Sequence, residues 1–115
     1  MIGYEDVREW VLALPGCREV FVGEWGRFTL RVGEKVLVLG HEGEHAVTVK
    51  ASREEQAMLL ERAPEVYSKA PYVGRFGWVL VDLAKADPDE LREIVEDAWR
   101  GTAPKKLVRE HDGTS

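Results

Sequence analysis

The sequence predicts an α+β domain: an antiparallel sheet of about four to five strands with helices on one face. Three observations lead there. Apolar residues recur at helical spacing near the N-terminus and again late in the chain, while between them the period falls to two over residues 27–50. The helical and strand-like stretches follow one another as helix, strands, helix, strand, helix, without the regular βαβ alternation of a parallel sheet.

The first helix rests on Tyr4, Val7, Val11 and Leu14, an apolar stripe with Trp10 beside it, and Pro15-Gly16 ends it because proline has no amide to donate. A strand over residues 19–22 precedes two alternating runs, 27–32 and 35–40. Gly33-Glu34 joins those runs as a two-residue hairpin loop. Residues 46–50 return as a further strand. Ser52 with Glu55 forms a capping box, so the second helix is expected over 52–62, with Pro64 just beyond it. A loop through Tyr67, Pro71, Tyr72 and Gly74 feeds a strand over 77–83. Asp87-Pro88-Asp89-Glu90 then opens the third helix with a cap, a proline in the first turn and acids at the positive end of the helix dipole. Leu91, Ile94, Val95 and Ala98 form its buried stripe, and Gly101 can end it.

The chain's 115 residues suit one domain, here read as 1–109 followed by a flexible tail over 110–115. A chain of this size buries roughly 65% of its unfolded surface in a single core. The hydrophobic share is 44% and the charged share 32%, which argues against disorder. The longest apolar runs, 36–39 and 78–81, fall far short of the roughly 20 residues of a membrane span, and the acidic N-terminal stretch is unlike a signal peptide. With Cys17 as the lone cysteine, a cytoplasmic location is expected. Cys17 reads as a small buried hydrophobe.

A net charge of −5 opposes a dedicated nucleic-acid binder, because that affinity comes chiefly from cations displacing counterions. The distribution softens the objection: residues 87–97 hold six acids against Arg92, whereas 100–109 hold Arg100, Lys105, Lys106 and Arg109 with no acid. Residues 70–81 are the most informative stretch, an aromatic, glycine-hinged loop free of acids directly before a strand. Tyr72, Arg75 and Phe76 there could form a platform for bases and phosphate, or the rings could cover the sheet; Trp25 and Arg27 raise the same alternative. Trp78 or Val79 is expected to anchor the core. Lys105 and Lys106 after a proline stop are either solvated charge or an anion contact.

His41-Glu42-Gly43-Glu44-His45 matches H-E-x-x-H in letters, but that zinc chemistry requires a helix, and here Gly40 and Gly43 lie between strands. A solvated polar turn is the favoured reading. Gly74-Arg75-Phe76-Gly77 has the G-x-x-G letters of a KH loop yet enters a strand where that loop joins helices. No nucleophile with base and orienting group, and no cofactor or metal fingerprint, emerges. The expectation is a domain without enzymatic chemistry and without cofactor.

Leu14-Pro15-Gly16, Trp25-Gly26-Arg27, Arg31-Val32-Gly33 with Lys35-Val36, the block over 70–79 and Ala103-Pro104-Lys105-Lys106-Leu107 together resemble the MmcQ/YjbR-like family of small bacterial proteins. The resemblance spans roughly residues 4–108. It implies an α+β fold of the CyaY-like or secretion-chaperone-like kind, and a DNA-binding or uncharacterised label that rests largely on fold analogy. The chain departs from the family pattern at 40–45 and at Gly101-Thr102, where the helix usually continues. Two functions follow as expectations, with a small-ligand pocket or enzyme site near Trp25, Tyr72 and Trp78 as a third possibility that would need a concave site with convergent polar groups. One is weak, salt-dependent DNA binding through Trp25, Arg27, Tyr72, Arg75, Phe76, Lys105 and Lys106; the other is a protein-interaction or chaperone-like module that uses the aromatic loop and sheet face, with its oligomeric state open.

Overall fold

The computed structural model describes residues 2–41 and 45–113. Helix α1 (Tyr4–Leu12) leads into four strands, β1 (Cys17–Val22), β2 (Arg27–Val32), β3 (Lys35–Gly40) and β4 (Ala46–Val49). Helix α2 (Arg53–Arg62), β5 (Tyr67–Lys69), a 3-10 turn (Val73–Phe76), β6 (Val79–Asp82), α3 (Pro88–Arg100) and α4 (Lys105–His111) follow. The six strands form one antiparallel sheet in the order β1-β2-β3-β4-β6-β5.

The local signals act where the sequence places them. Ser52 Oγ accepts from the Glu55 amide at 3.1 Å while the Glu55 carboxylate accepts from the Ser52 amide, closing the capping box of α2. Asp87 caps α3, with Pro88 in its first turn. Val32 stands opposite Lys35, which is the register of a two-residue hairpin loop.

Antiparallel registry sorts the strand residues onto two faces, since residues directly opposite each other point the same way. Leu30, Val38, Val49 and Val79 stand opposite one another and are fully buried. Against that face lie α1, through Val7 and Val11, and α3, through Leu91, Val95, Ala98 and Trp99. Tyr4 of α1 comes against Gly40 and donates to Glu19 of β1 at 2.8 Å, and Tyr67 of β5 donates to Glu90 of α3. Arg8 and Arg62 complete the two sites by pairing with those same glutamates at 3.0 Å. Burial and the carboxylate beside each phenol push both tyrosines well above the ordinary tyrosine range.

The structure corrects the sequence reading in several places. The sheet has six strands because β5, only three residues long, joins the far edge, and a segment that short carries no readable period. Val79 is the core residue and Trp78, one position earlier on the pleat, is half-buried on the other side, so the expected anchor is the valine. Pro104, expected to stop structure, instead caps α4. That helix stays ordered through His111, whose ring meets Trp99 edge-on at 5.0 Å, and Arg100 pairs with Asp112 at 2.9 Å. The chain is therefore packed beyond residue 110, where the tail was expected to begin. Ile94 is half-buried, and Trp99 takes the fully buried position in its stead.

Candidate functional site

The site grows from two turns at the ends of different strands. Residues 23–26 form the turn between β1 and β2, tied by the Trp25 amide to Val22 O at 3.1 Å and the Gly26 amide to Gly23 O at 3.2 Å. This leaves the Trp25 indole 56% exposed. The second turn is the loop between β5 and β6. Its base is fastened to α2: Gln56 Nε2 donates to the carbonyls of Gly74 and Trp78, both at 2.8 Å, and Arg53 Nε donates to Arg75 O at 3.1 Å. Gly77, at φ 107°, presses so close to Ser52 that a Cβ there would stand 2.4 Å from the Ser52 carbonyl carbon.

The tip of that loop carries the strain. Tyr72 has φ 63° and ψ −53°, and the Val73 amide donates back to Pro71 O at 2.6 Å, a γ-turn of the rare positive-φ kind. Among the described residues no other non-glycine has positive φ. The Tyr72 side chain is 93% exposed, so packing of its ring does not hold it there. Strain of this sort clusters at ligand-contacting sites.

Between the two turns lies a groove of about 400 Å³ lined by Trp25, Arg27, Leu39, Pro71, Tyr72 and Val73. It lies along the sheet face opposite α1 and α3, the face of Thr29, Leu39, Thr48 and Leu80. Arg18 and Arg31, opposite each other on β1 and β2, belong to the same face as Arg27. Arg18 pairs with Glu34 at 2.7 Å, and Arg31 donates to Thr29 Oγ1 at 2.9 Å. Arg27 has no ion-pair partner among the described residues. Its charge is felt by half-buried His41, whose Nε2 lies 2.7 Å from Thr48 Oγ1; burial first, and Arg27 second, hold that imidazole below its ordinary pKa.

The seven residues singled out from the sequence divide into three groups. Trp25, Arg27 and Tyr72 share the groove. Arg75 and Phe76 sit on the same loop as Tyr72, the guanidinium 4.9 Å above the half-exposed Phe76 ring, and neither lines the groove. Lys105 and Lys106 open α4, whose Leu107 Cδ1 lies 3.0 Å from where a Gly16 Cβ would stand, next to Val32. Val32 ends β2 and Arg27 begins it, so the lysines belong to the other end of that strand, about 17 Å of extended chain away. The rings do not cover the sheet: Tyr72 and Phe76 face solvent.

Sequence reasoning missed Leu39, Pro71 and Val73 as groove walls, and Arg18 and Arg31 as cations of the same face. The alternation Arg27, Thr29, Arg31 was available as a signal for the second arginine. Residues 42–44 lie outside the described residues, so the H-E-x-x-H letters are represented only by His41, bonded to Thr48, and exposed His45. Among the described residues no three His, Cys, Asp or Glu side chains gather as a metal-ligand group. No helix described is long and apolar enough to cross a membrane.

Comparison with known proteins identifies the architecture. The crystal structure of Deinococcus radiodurans protein DR2400, a DUF419 domain, superposes with a TM-score of 0.79 over 100% of this chain and 91% of that one, at 18% identity, which establishes a shared fold. Uncharacterized proteins of Mycobacterium tuberculosis (Rv2570) and Mycobacterium bovis (Mb2600) are each 30% identical over 127 aligned positions, covering 95% of this chain and 95% of theirs. The YjbR family model matches residues 12–101, which include β1 to β6, the loop of Tyr72 and helix α3. The chain belongs to the YjbR family.

Proposed function

We propose that this protein is a cytoplasmic, non-enzymatic binding domain that takes single-stranded nucleic acid weakly and with little sequence preference across the groove of Trp25, Arg27 and Tyr72. The observation that carries the reading is the meeting, in one groove, of two exposed rings and a cation that has no ion-pair partner among the described residues, brought from stretches far apart in sequence. Unpaired bases stack on such rings whatever their identity, and the guanidinium takes phosphate. Arg18, Arg27 and Arg31 share one sheet face, with Arg18 paired to Glu34, while Asp89, Glu90, Glu93, Glu96 and Asp97 lie on helix α3. Arg75, stacked on Phe76, extends the basic and aromatic character along the loop.

Fluorescence anisotropy of a labelled oligothymidine of about 15 nucleotides tests the reading. Binding is expected at low salt and weakens steeply as salt rises, with duplex of the same length bound less well. Trp25→Ala and Tyr72→Ala should each lower affinity by about 5-fold to 100-fold, the range of one lost stacking contact. Lys105→Glu combined with Lys106→Glu asks whether the strand's path reaches the other end of β2. Absence of binding at low salt eliminates the proposal.

A second reading, a protein-interaction module, draws on the same exposure: Phe21, Trp25, Phe28, Tyr72 and Phe76 all present large apolar surface. Capture of a defined protein partner that Tyr72→Ala abolishes, with no effect of added oligonucleotide, would favour it over the first.

A further inference from the structure

We propose that strand β1 is a self-association edge and that its occupant is a second copy of this chain, paired antiparallel to form one continuous twelve-stranded sheet. The two edges of the sheet are unlike. β5 has three residues and is followed by the Pro71 turn, whereas β1 has six, without proline or lysine. Gly16 O accepts from the Gly33 amide, so the bonded pairs with β2 fall on even-numbered residues of β1. By alternation the amides and carbonyls of Glu19 and Phe21 point outward.

One register matches the exposed side chains to themselves. With Phe21 opposite Phe21 of the second copy, Val20 falls opposite Val22. Phe21, 54% exposed, is already packed at a tilt against Phe28, 46% exposed, with ring centroids 4.9 Å apart, so the joint assembles four rings that a single copy leaves half in water. Glu19 brings no unpaired charge to the joint, because Arg8 at 3.0 Å and the Tyr4 hydroxyl at 2.8 Å already satisfy it. Arg18 brings no unpaired charge either, since Glu34 of its own copy pairs with it at 2.7 Å. A two-fold axis normal to the sheet leaves both Trp25 grooves on one side, one near each side of the joint. The contact is small beside a standard interface of about 1,600 Å², so the dimer is reversible.

Sedimentation velocity from about 10 μM to about 1 mM tests this without any nucleic acid, so its failure leaves the groove reading untouched. A concentration-dependent shift to dimer is expected, with slowed exchange of the Glu19 and Phe21 amides as dimer accumulates. Phe21→Glu should abolish the shift. Phe28→Ala, which removes the ring packed on Phe21, should weaken association by about 2-fold to 10-fold. Circular dichroism of each variant confirms that the monomer still folds; both positions are exposed. A wild-type protein that stays monomeric throughout overturns the proposal. So does a dimer indifferent to all these substitutions.

Discussion

Gly77→Ala should be among the most damaging single-methyl additions this domain can suffer, and Gly26→Ala supplies its control. Both glycines have positive φ, 107° and 62°, so alanine at either meets the backbone penalty of about 1–2 kcal/mol for a side chain in that region. They differ in space. Around Gly26 nothing lies within 4 Å of a new Cβ, whereas at Gly77 the methyl would stand 2.4 Å from Ser52 C, 2.5 Å from Arg53 N and 2.8 Å from Ala51 O. All three are backbone atoms and none can rotate aside, so the chain must move by about 1 Å, with overpacking strain of about 1–3 kcal/mol. The segment that moves holds the N-cap of α2, and disturbing the Ser52 and Glu55 box adds about 1 kcal/mol. The expected loss is about 3–6 kcal/mol for Gly77→Ala against about 1–2 kcal/mol for Gly26→Ala, from a total that is about 5–15 kcal/mol in small domains. Urea unfolding followed by tryptophan fluorescence and far-UV circular dichroism measures both. If the two variants unfold within 1 kcal/mol of each other, α2 is not pressed against the loop in the way the argument requires.

Tyr72→Gly should behave in the opposite sense on stability: relief of about 1–3 kcal/mol of backbone strain roughly offsets the added entropy of the unfolded glycine, so denaturation shows a neutral to slightly stabilised protein that has lost groove binding. A destabilisation above about 2 kcal/mol would mean that the exposed ring supports the fold. Trp99→Ala should cost about 3–5 kcal/mol, since the indole is fully buried and its Nε1 donates to Pro15 O at 3.0 Å; thermal or urea unfolding reads this directly. His41 predicts a pH dependence. Its folded pKa lies below the unfolded value of about 6.5, so the unfolded chain binds more protons in that window and stability falls as pH drops below about 6.5. His41→Gln should flatten that part of the stability profile, and an NMR titration showing His41 above its ordinary value would refute the sign.

What could be read from the chain, and what could not, separates along the range of the interactions. The helix starts at Ser52 and Asp87 were legible because a cap and its partner amide lie within three residues. The β2–β3 hairpin was legible for the same reason, its loop being two residues long. Trp78 and Val79 stayed alternatives for the core anchor because a shift of one residue along a pleated strand exchanges the two faces, and only the pairing of Val79 with Val49 decides which is inside. Within β3 the register shift opposite Leu30 and Arg31 sends Leu37 and Val38 inward together, against the simple alternation expected there. For the candidate site, aromatic and cationic residue types were visible in the sequence, but their grouping was not. Trp25 and Tyr72 meet in the groove, while Lys105 and Lys106 dock with α4 near the far end of β2.

By itself, then, the sequence determined the antiparallel α+β class, the three principal helices, the central hairpin and membership of the YjbR family, all of which rest on patterns repeated or completed over a few residues. Tertiary structure alone decided that β6 lies between β4 and β5, that Val79 faces the core, and that Trp25, Arg27 and Tyr72 share a groove that excludes the α4 lysines. The physical reason is that burial of one continuous apolar face chooses among strand orders and offsets that local hydrogen bonding leaves equally satisfied.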